Sequence, residues 1–97
     1  MATISVAHVG GTTYRVTVLE DDGRTDHEVT VTPADLRRYA PAGTTAERLL
    51  HASFEFLLAR ESKRSILRRF DVSVIERYFP EYPQEIAKGL TGDQSLH

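Results

Sequence analysis

The residues best suited to bind a ligand are cations in the second half of the chain. Five basic side chains fall within ten positions, and only Glu61 opposes them. The cluster consists of Arg60, Lys63, Arg64, Arg68 and Arg69. Guanidinium and ammonium groups bind phosphate and carboxylate, so the cluster indicates a patch for an anion, an acidic protein or a nucleic acid. The alternative is a solvated helix junction in which these cations pair with Asp71, Glu76 and Glu61.

The stretch "ILRRFDVS", residues 66–73, resembles the centre of a bacterial helix-turn-helix. That motif needs a small residue at Leu67 and a glycine at Asp71. It also needs apolar residues where Arg77 and Pro80 stand, and its second helix would be too short to enter a major groove. We therefore predict that the apolar side chains here close the core. They are Ile66, Leu67, Phe70, Val74, Ile75, Tyr78 and Phe79.

Four histidines raise the question of a metal site. On the predicted sheet, His8 and His27 lie on different strands about 10 Å apart, which is too far to share one ion. Along the main helix, Glu47, His51 and Glu55 follow one side, as residues of solvated helix faces commonly do. We therefore expect no metal.

No catalytic motif is present. The chain has no cysteine, which excludes disulfides, thiolate metal ligands and cysteine nucleophiles. It has no serine-hydrolase elbow, no phosphate-binding loop and no dinucleotide fingerprint. The glycines of "VGGTTY", residues 9–14, are followed by a strand pattern, which favours a hairpin over a phosphate cradle. We expect no enzymatic activity and no cofactor.

Composition limits the class of protein. The 97 residues are 40% hydrophobic and 27% charged with a formal net charge of −2, which fits one folded domain. A net charge near zero argues against a protein that mainly coats nucleic acid. The first residues lack the pattern of a signal peptide, and no apolar run approaches the roughly 20 residues of a membrane span. We expect a cytoplasmic location and no membrane contact.

Three segments near the N-terminus have the alternating, β-branched pattern of strands, namely Thr3–Val9, Thr13–Glu20 and Arg24–Thr32. The dipeptide Asp22-Gly23 predicts a two-residue turn, which would place Val16 opposite Val29. A three-residue loop at Gly10–Thr12 would place Val6 opposite Val16 and keep apolar side chains on one face.

The predicted meander leaves its first and third strands as open edges. An open edge exposes backbone groups that can pair with another chain. The first strand has no proline and no charge unless His8 is protonated, so it lacks the usual protection. We predict a homodimer, or pairing with a partner strand, through this edge. Its interface residues would be Thr3, Ser5, Ala7 and Val9.

The rest of the chain is predicted to be mainly helical. Thr32 would cap a short helix, and a capping box of Thr44 and Glu47 would begin the main helix, whose apolar residues recur every three or four positions. Asp71 would cap a further short helix that ends before Pro80. Residues 81–90 are expected to run along the surface.

The predicted fold is therefore α+β. It is a three-stranded antiparallel meander covered on one face by a long helix and two or three short helices. A single domain would span residues 1–88, with the sheet in 3–32 and helices in 33–79. Residues 89–97 would form a flexible C-terminal tail.

Residues 53–86 are similar to part of a group of small uncharacterised bacterial proteins. The shared pattern is "FLL", then "SIL..F", then "I..YFP". The resemblance covers about a third of the chain and implies no activity and no site residues. It implies only that this half of the chain is a standard part of the fold.

Together these patterns predict a small non-enzymatic protein-interaction module that self-associates through its first strand. The alternative is a nucleic-acid-binding regulatory protein that uses the basic cluster at 60–69. The aromatic run "YFPEYP", residues 78–83, is compatible with burial or with an exposed interaction patch.

Overall fold

A computed structural model of the chain describes residues 2–92. Within them, four strands form one sheet in the order β1-β2-β3-β4, and helices cover one of its faces. The elements in chain order are β1 (Thr3–Gly10), β2 (Thr13–Glu20), β3 (Gly23–Thr30), α1 (Pro33–Tyr39), α2 (Ala46–Leu58), a 3₁₀ turn (Lys63–Ser65), β4 (Arg69–Asp71), α3 (Val74–Tyr78) and α4 (Tyr82–Gly92). The predicted α+β class is confirmed.

The hairpin of β1 and β2 has the predicted register from Thr3 to His8, but its loop is Gly11-Thr12 rather than the predicted Gly10–Thr12, because Gly10 pairs with Thr13. Val6 lies opposite Val16, so the alternate apolar residues of both strands face the helices. A bulge between His8 and Gly10 interrupts the ladder just before the turn. Gly11 has a φ of 55°, a left-handed conformation that glycine adopts without steric cost.

The predicted register of β2 and β3 is wrong by two residues. Val16 lies opposite His27 rather than Val29. The loop consists of Asp21 and Asp22, and the following Gly23 begins β3 with a φ of 133°. Neither aspartate has a positive φ, so the glycine is used after the turn rather than within it. A shift by two keeps each side chain on its predicted face, but it moves His27 into the buried interior.

A short fourth strand pairs with part of the β3 edge. β4 runs parallel to β3 and pairs with Glu28–Thr30, while its central residue Phe70 is buried. The predicted Asp71 cap is therefore wrong, because Asp71 ends this strand. Three residues are too few to show a periodicity, and their backbone hydrogen bonds depend on a strand forty residues away. β3 is thus an open edge only in its first half.

Helix α2 begins one residue later than predicted. Its N-cap is Thr45, whose hydroxyl accepts a hydrogen bond from the Arg48 amide at 3.1 Å. The predicted capping box of Thr44 and Glu47 is therefore wrong, although both threonines suit the position by type. The prediction for α1 holds, because Thr32 caps it.

Helix α4 packs against α2 instead of following the surface. Its Tyr82, Ile86 and Leu90 are buried, and they recur at the four-residue spacing of one helix face. Helical structure therefore continues past the predicted domain boundary at residue 88. The remainder of the predicted tail, residues 93–97, lies outside the described residues.

Candidate interaction surfaces

Strand β1 is one edge of the sheet along its full length. The predicted interface residues Thr3, Ser5, Ala7 and Val9 are all exposed. The first three lie on the outer, helix-free face, and Val9 lies in the bulge. On the inner face, Ile4 and Val6 are only half-buried, although they pack against the core. The edge therefore offers free backbone groups together with apolar side chains that a neighbouring strand could cover.

At the turn end of β1, a histidine side chain contacts both the neighbouring strand and the turn. The ring of His8 stacks on that of Tyr14 with centroids 4.7 Å apart. Its Nε2–H donates to the carbonyl of Gly11 at 2.7 Å. This contact and the adjacent bulge fix the last part of β1 against its own turn. The regular part of the edge is the segment from Thr3 to His8.

Lys63 lies inside the protein rather than on a basic patch. Its side chain is 2% exposed, and its Nζ donates to Glu20 at 2.9 Å and to Asp22. The hydrogen bonds to Asp22 and Glu20 raise the pKa of Lys63, and the bond from Lys63 lowers the pKa of Asp22. Lys63 therefore joins the β2–β3 hairpin to the chain after α2.

Arg60 and Arg64 bind different parts of the molecule. The Arg60 side chain donates to Glu81 at 3.3 Å and to the carbonyl of Phe56 at 3.0 Å, and it lies 3.6 Å from the centroid of the Phe56 ring. The Arg64 guanidinium is exposed and donates to the carbonyl of Asp22 at 3.2 Å. Arg60 thus connects α2 to the start of α4.

Arg68 and Arg69 lie at a third place, beside the outer face of the sheet. Both line a shallow depression with Arg15, Asp26 and Glu28. Arg69 donates to Glu28 at 3.1 Å. The five cations of the predicted patch therefore do not share one surface. Glu76, one of the acidic residues expected to pair with these cations, binds Arg38 instead at 2.8 Å.

His27 connects the sheet to the segment before β4. It is buried, its Nδ1–H donates to the carbonyl of Leu67 at 2.8 Å, and its Nε2 accepts from Thr25 at 2.9 Å. Its ring lies 5.2 Å from that of Phe54. Burial is the main cause that lowers the pKa of His27, so the neutral form is favoured.

An apolar groove lies between the end of α2 and residues 65–79, and sequence reasoning missed it. No helix-turn-helix is formed here, since β4 and the five-residue α3 occupy the stretch. Ile66 and Phe70 are buried as predicted, but Leu67 is 48% exposed and Tyr78 is 67% exposed at the groove. The aromatic run divides accordingly, with Tyr78 exposed and Tyr82 buried. Spacing alone could not show which aromatic ring faces the core.

Residues 2–92 contain no group of three or more histidine or acidic side chains placed to hold a metal ion. None of the helices in this part of the chain has the length and apolar content to cross a bilayer. No protein-family model, curated protein or solved structure matches the chain.

Proposed function

We propose that this protein is a small non-enzymatic interaction module that self-associates through strand β1. The observation that carries the proposal is the open edge itself, eight residues long, without proline and without a permanently charged side chain. Sheet edges in monomeric proteins usually carry a lysine, a proline or a covering element to prevent such pairing. β1 has a bulge only at its turn end.

The inner face of the edge supports the same proposal. Ile4 and Val6 pack against the core yet remain partly exposed, because no strand continues the sheet beyond them. Pairing β1 with β1 of a second copy would join two four-stranded sheets and bury these side chains between the two α2 helices. Burial of apolar surface would then add to the backbone hydrogen bonds.

The test is sedimentation velocity of the wild type and of edge variants. Ser5→Lys and Ala7→Lys each place a charge on the outer face of the edge, beside the side chains of a partner strand and near the same charge of a second copy, so we expect dimerisation at least about tenfold weaker. Thr30→Lys is the matched control, because it adds the same charge on the outer face of β3 between β2 and β4. Equal masses for wild type and Ser5→Lys at every concentration would contradict the proposal.

Cross-linking can sharpen this test, because the chain has no cysteine. In an antiparallel β1–β1 pair only a residue near the two-fold axis faces its own copy, so either one of the single variants Ser5→Cys and Ala7→Cys, or a mixture of the two, should form disulfide-linked dimers under mild oxidation. Thr17→Cys lies on the central β2 and should form no disulfide-linked dimer. Cross-linking of Thr17→Cys to the same extent would indicate random collision rather than edge pairing.

The alternative function is nucleic-acid binding by the 60–69 segment. Arg64 and Arg68 support it, since both are exposed. The carboxylate partners of Lys63, Arg60 and Arg69 weigh against it. Binding of duplex DNA or single-stranded RNA that falls steeply with added salt, and with Arg64→Gln or Arg68→Gln, would favour this alternative.

A further inference from the structure

The apolar groove beside α3 has the shape of an anchor site. It encloses about 240 Å³ between the end of α2, the 65–67 segment, β4 and α3. Its walls are mainly apolar, and they include Leu57, Ile66, Phe70, Ile75 and Phe79. Leu67 and Tyr78 also line it, and both are among the few large apolar side chains exposed in the described part of the chain. Exposed apolar side chains that meet at a concavity are typical of binding surfaces.

The groove also has a charge preference. Glu61 is its one charged lining residue, and no ion pair or side-chain hydrogen bond involves this carboxylate within residues 2–92. Glu61 follows the C-terminal end of α2, whose last turn contains no basic residue. The C-terminal end of a helix has a negative electrostatic potential. A carboxylate there makes the potential more negative, and a cation would compensate it.

The nearby arginines do not supply that cation. Arg60 binds Glu81 on α4, and Arg64 binds the Asp22 carbonyl in the β2–β3 turn. Arg68 lines the depression on the outer face of the sheet, and Arg77 lines a separate one beside α1. The groove is therefore apolar with one uncompensated negative end.

We propose that this groove binds a short segment of a partner protein that carries an apolar anchor side chain next to a lysine or arginine. The anchor fills the cavity between Phe70 and Phe79, and the cation pairs with Glu61. The volume is below the roughly 300–1,000 Å³ of sites for small-molecule ligands and cofactors, which favours one or two side chains of a peptide. This proposal is independent of the β1 edge.

The experiment uses random short peptides displayed on phage, panned against the full chain, followed by affinity measurements with synthetic copies of the enriched peptides. We expect enrichment of a large apolar residue beside a basic one. Glu61→Gln should weaken binding about tenfold by removing a charge-assisted hydrogen bond, and Leu67→Ser should weaken it to a similar degree. Leu67 is half exposed, so the second variant should keep the wild-type melting curve.

Ser5→Lys is the matched control, because it changes the β1 edge and should leave peptide affinity unchanged. Three outcomes of the peptide measurements would overturn the proposal. Enriched peptides could lack a basic residue, Glu61→Gln could bind them as well as the wild type, or panning could enrich nothing. Self-association lost on Glu61→Lys but not on Ser5→Lys would also overturn it, since the occupant would then be a second copy.

Discussion

The N-terminal sheet and the C-terminal segment, residues 60–92, differ in how far apart their contacting residues lie in the chain. β1, β2 and β3 pair through two tight hairpins, so each strand contacts its immediate neighbour in sequence. The C-terminal segment instead depends on distant partners. Lys63 reaches Asp22 across 41 residues, and the Leu67 carbonyl accepts from His27 across 40.

This difference explains why the two proposed surfaces have different origins. The β1 edge consists of backbone groups that any regular strand exposes, and its character follows from its own eight residues. The groove exists only because the 65–79 segment is held against α2 and β3 by side chains from elsewhere. Substitutions at the junction of the two regions should therefore reveal how closely the regions are coupled.

The largest effect is expected for Phe54→Ala. The Phe54 ring is fully buried and lies 5.2 Å from His27 in the sheet and 6.2 Å from Phe70 in β4. Its removal should lower the free energy of unfolding by about 3–5 kcal/mol, since it leaves a cavity between both regions. Urea unfolding followed by far-ultraviolet circular dichroism would measure this loss.

The neighbouring Glu55→Ala is the control for Phe54→Ala. Glu55 is exposed, so the free energy of unfolding should change by no more than about 0.5 kcal/mol. If Phe54→Ala were as mild as Glu55→Ala, the ring would not couple the sheet to the C-terminal segment.

A smaller effect is expected for Tyr82→Phe. The Ser53 hydroxyl donates to the Leu49 carbonyl at 2.6 Å, so the Tyr82 hydroxyl, 2.7 Å away, is the donor to Ser53. Removing this buried hydrogen bond between α4 and α2 should cost about 1 kcal/mol in thermal or urea unfolding. Tyr78→Phe is the matched control, because that ring is exposed. Equal stabilities of the two variants would show that the α2–α4 bond contributes nothing.

The smallest effect is expected from pH, because it involves one proton at the junction. Burial lowers the pKa of His27 from its ordinary 6.5, Arg68 lowers it further, and the Leu67 carbonyl and Asp26 act in the opposite direction. Below pH 6.5 the unfolded chain takes up a proton that the folded imidazole does not. The free energy of unfolding should therefore decrease as the pH is lowered below 6.5, until the pH passes the lowered pKa of folded His27.

Urea midpoints between about pH 7.5 and about pH 5 would measure this dependence. His27→Gln is the control, since the amide retains a donor and an acceptor but does not titrate in this range. The wild type should lose more stability than the variant over this interval. Parallel pH profiles for the two proteins would mean that His27 titrates alike in the folded and unfolded chains.

Local residue patterns predicted the sheet faces, the β1–β2 register, the α1 cap and the open edge at β1. They failed at the β2–β3 turn, because a glycine with a positive φ can stand within a two-residue loop or directly after it. Here the loop is Asp21-Asp22, and Gly23 follows it. They also failed for β4 and for α4. A three-residue strand shows no period, and the apolar spacing of Tyr82, Ile86 and Leu90 was not assigned to a helix face.

The sequence by itself determined the α+β class, because strand alternation and helix periodicity are properties of neighbouring residues. Only the tertiary structure decided where the charged side chains of 60–69 point. Lys63 enters the interior, Arg60 meets Glu81, and Arg69 meets Glu28, because each is placed by an element distant in the chain. The groove with Glu61 at its end has the same origin. Its walls come from α2, β4 and α3, and no local pattern states that these three elements meet.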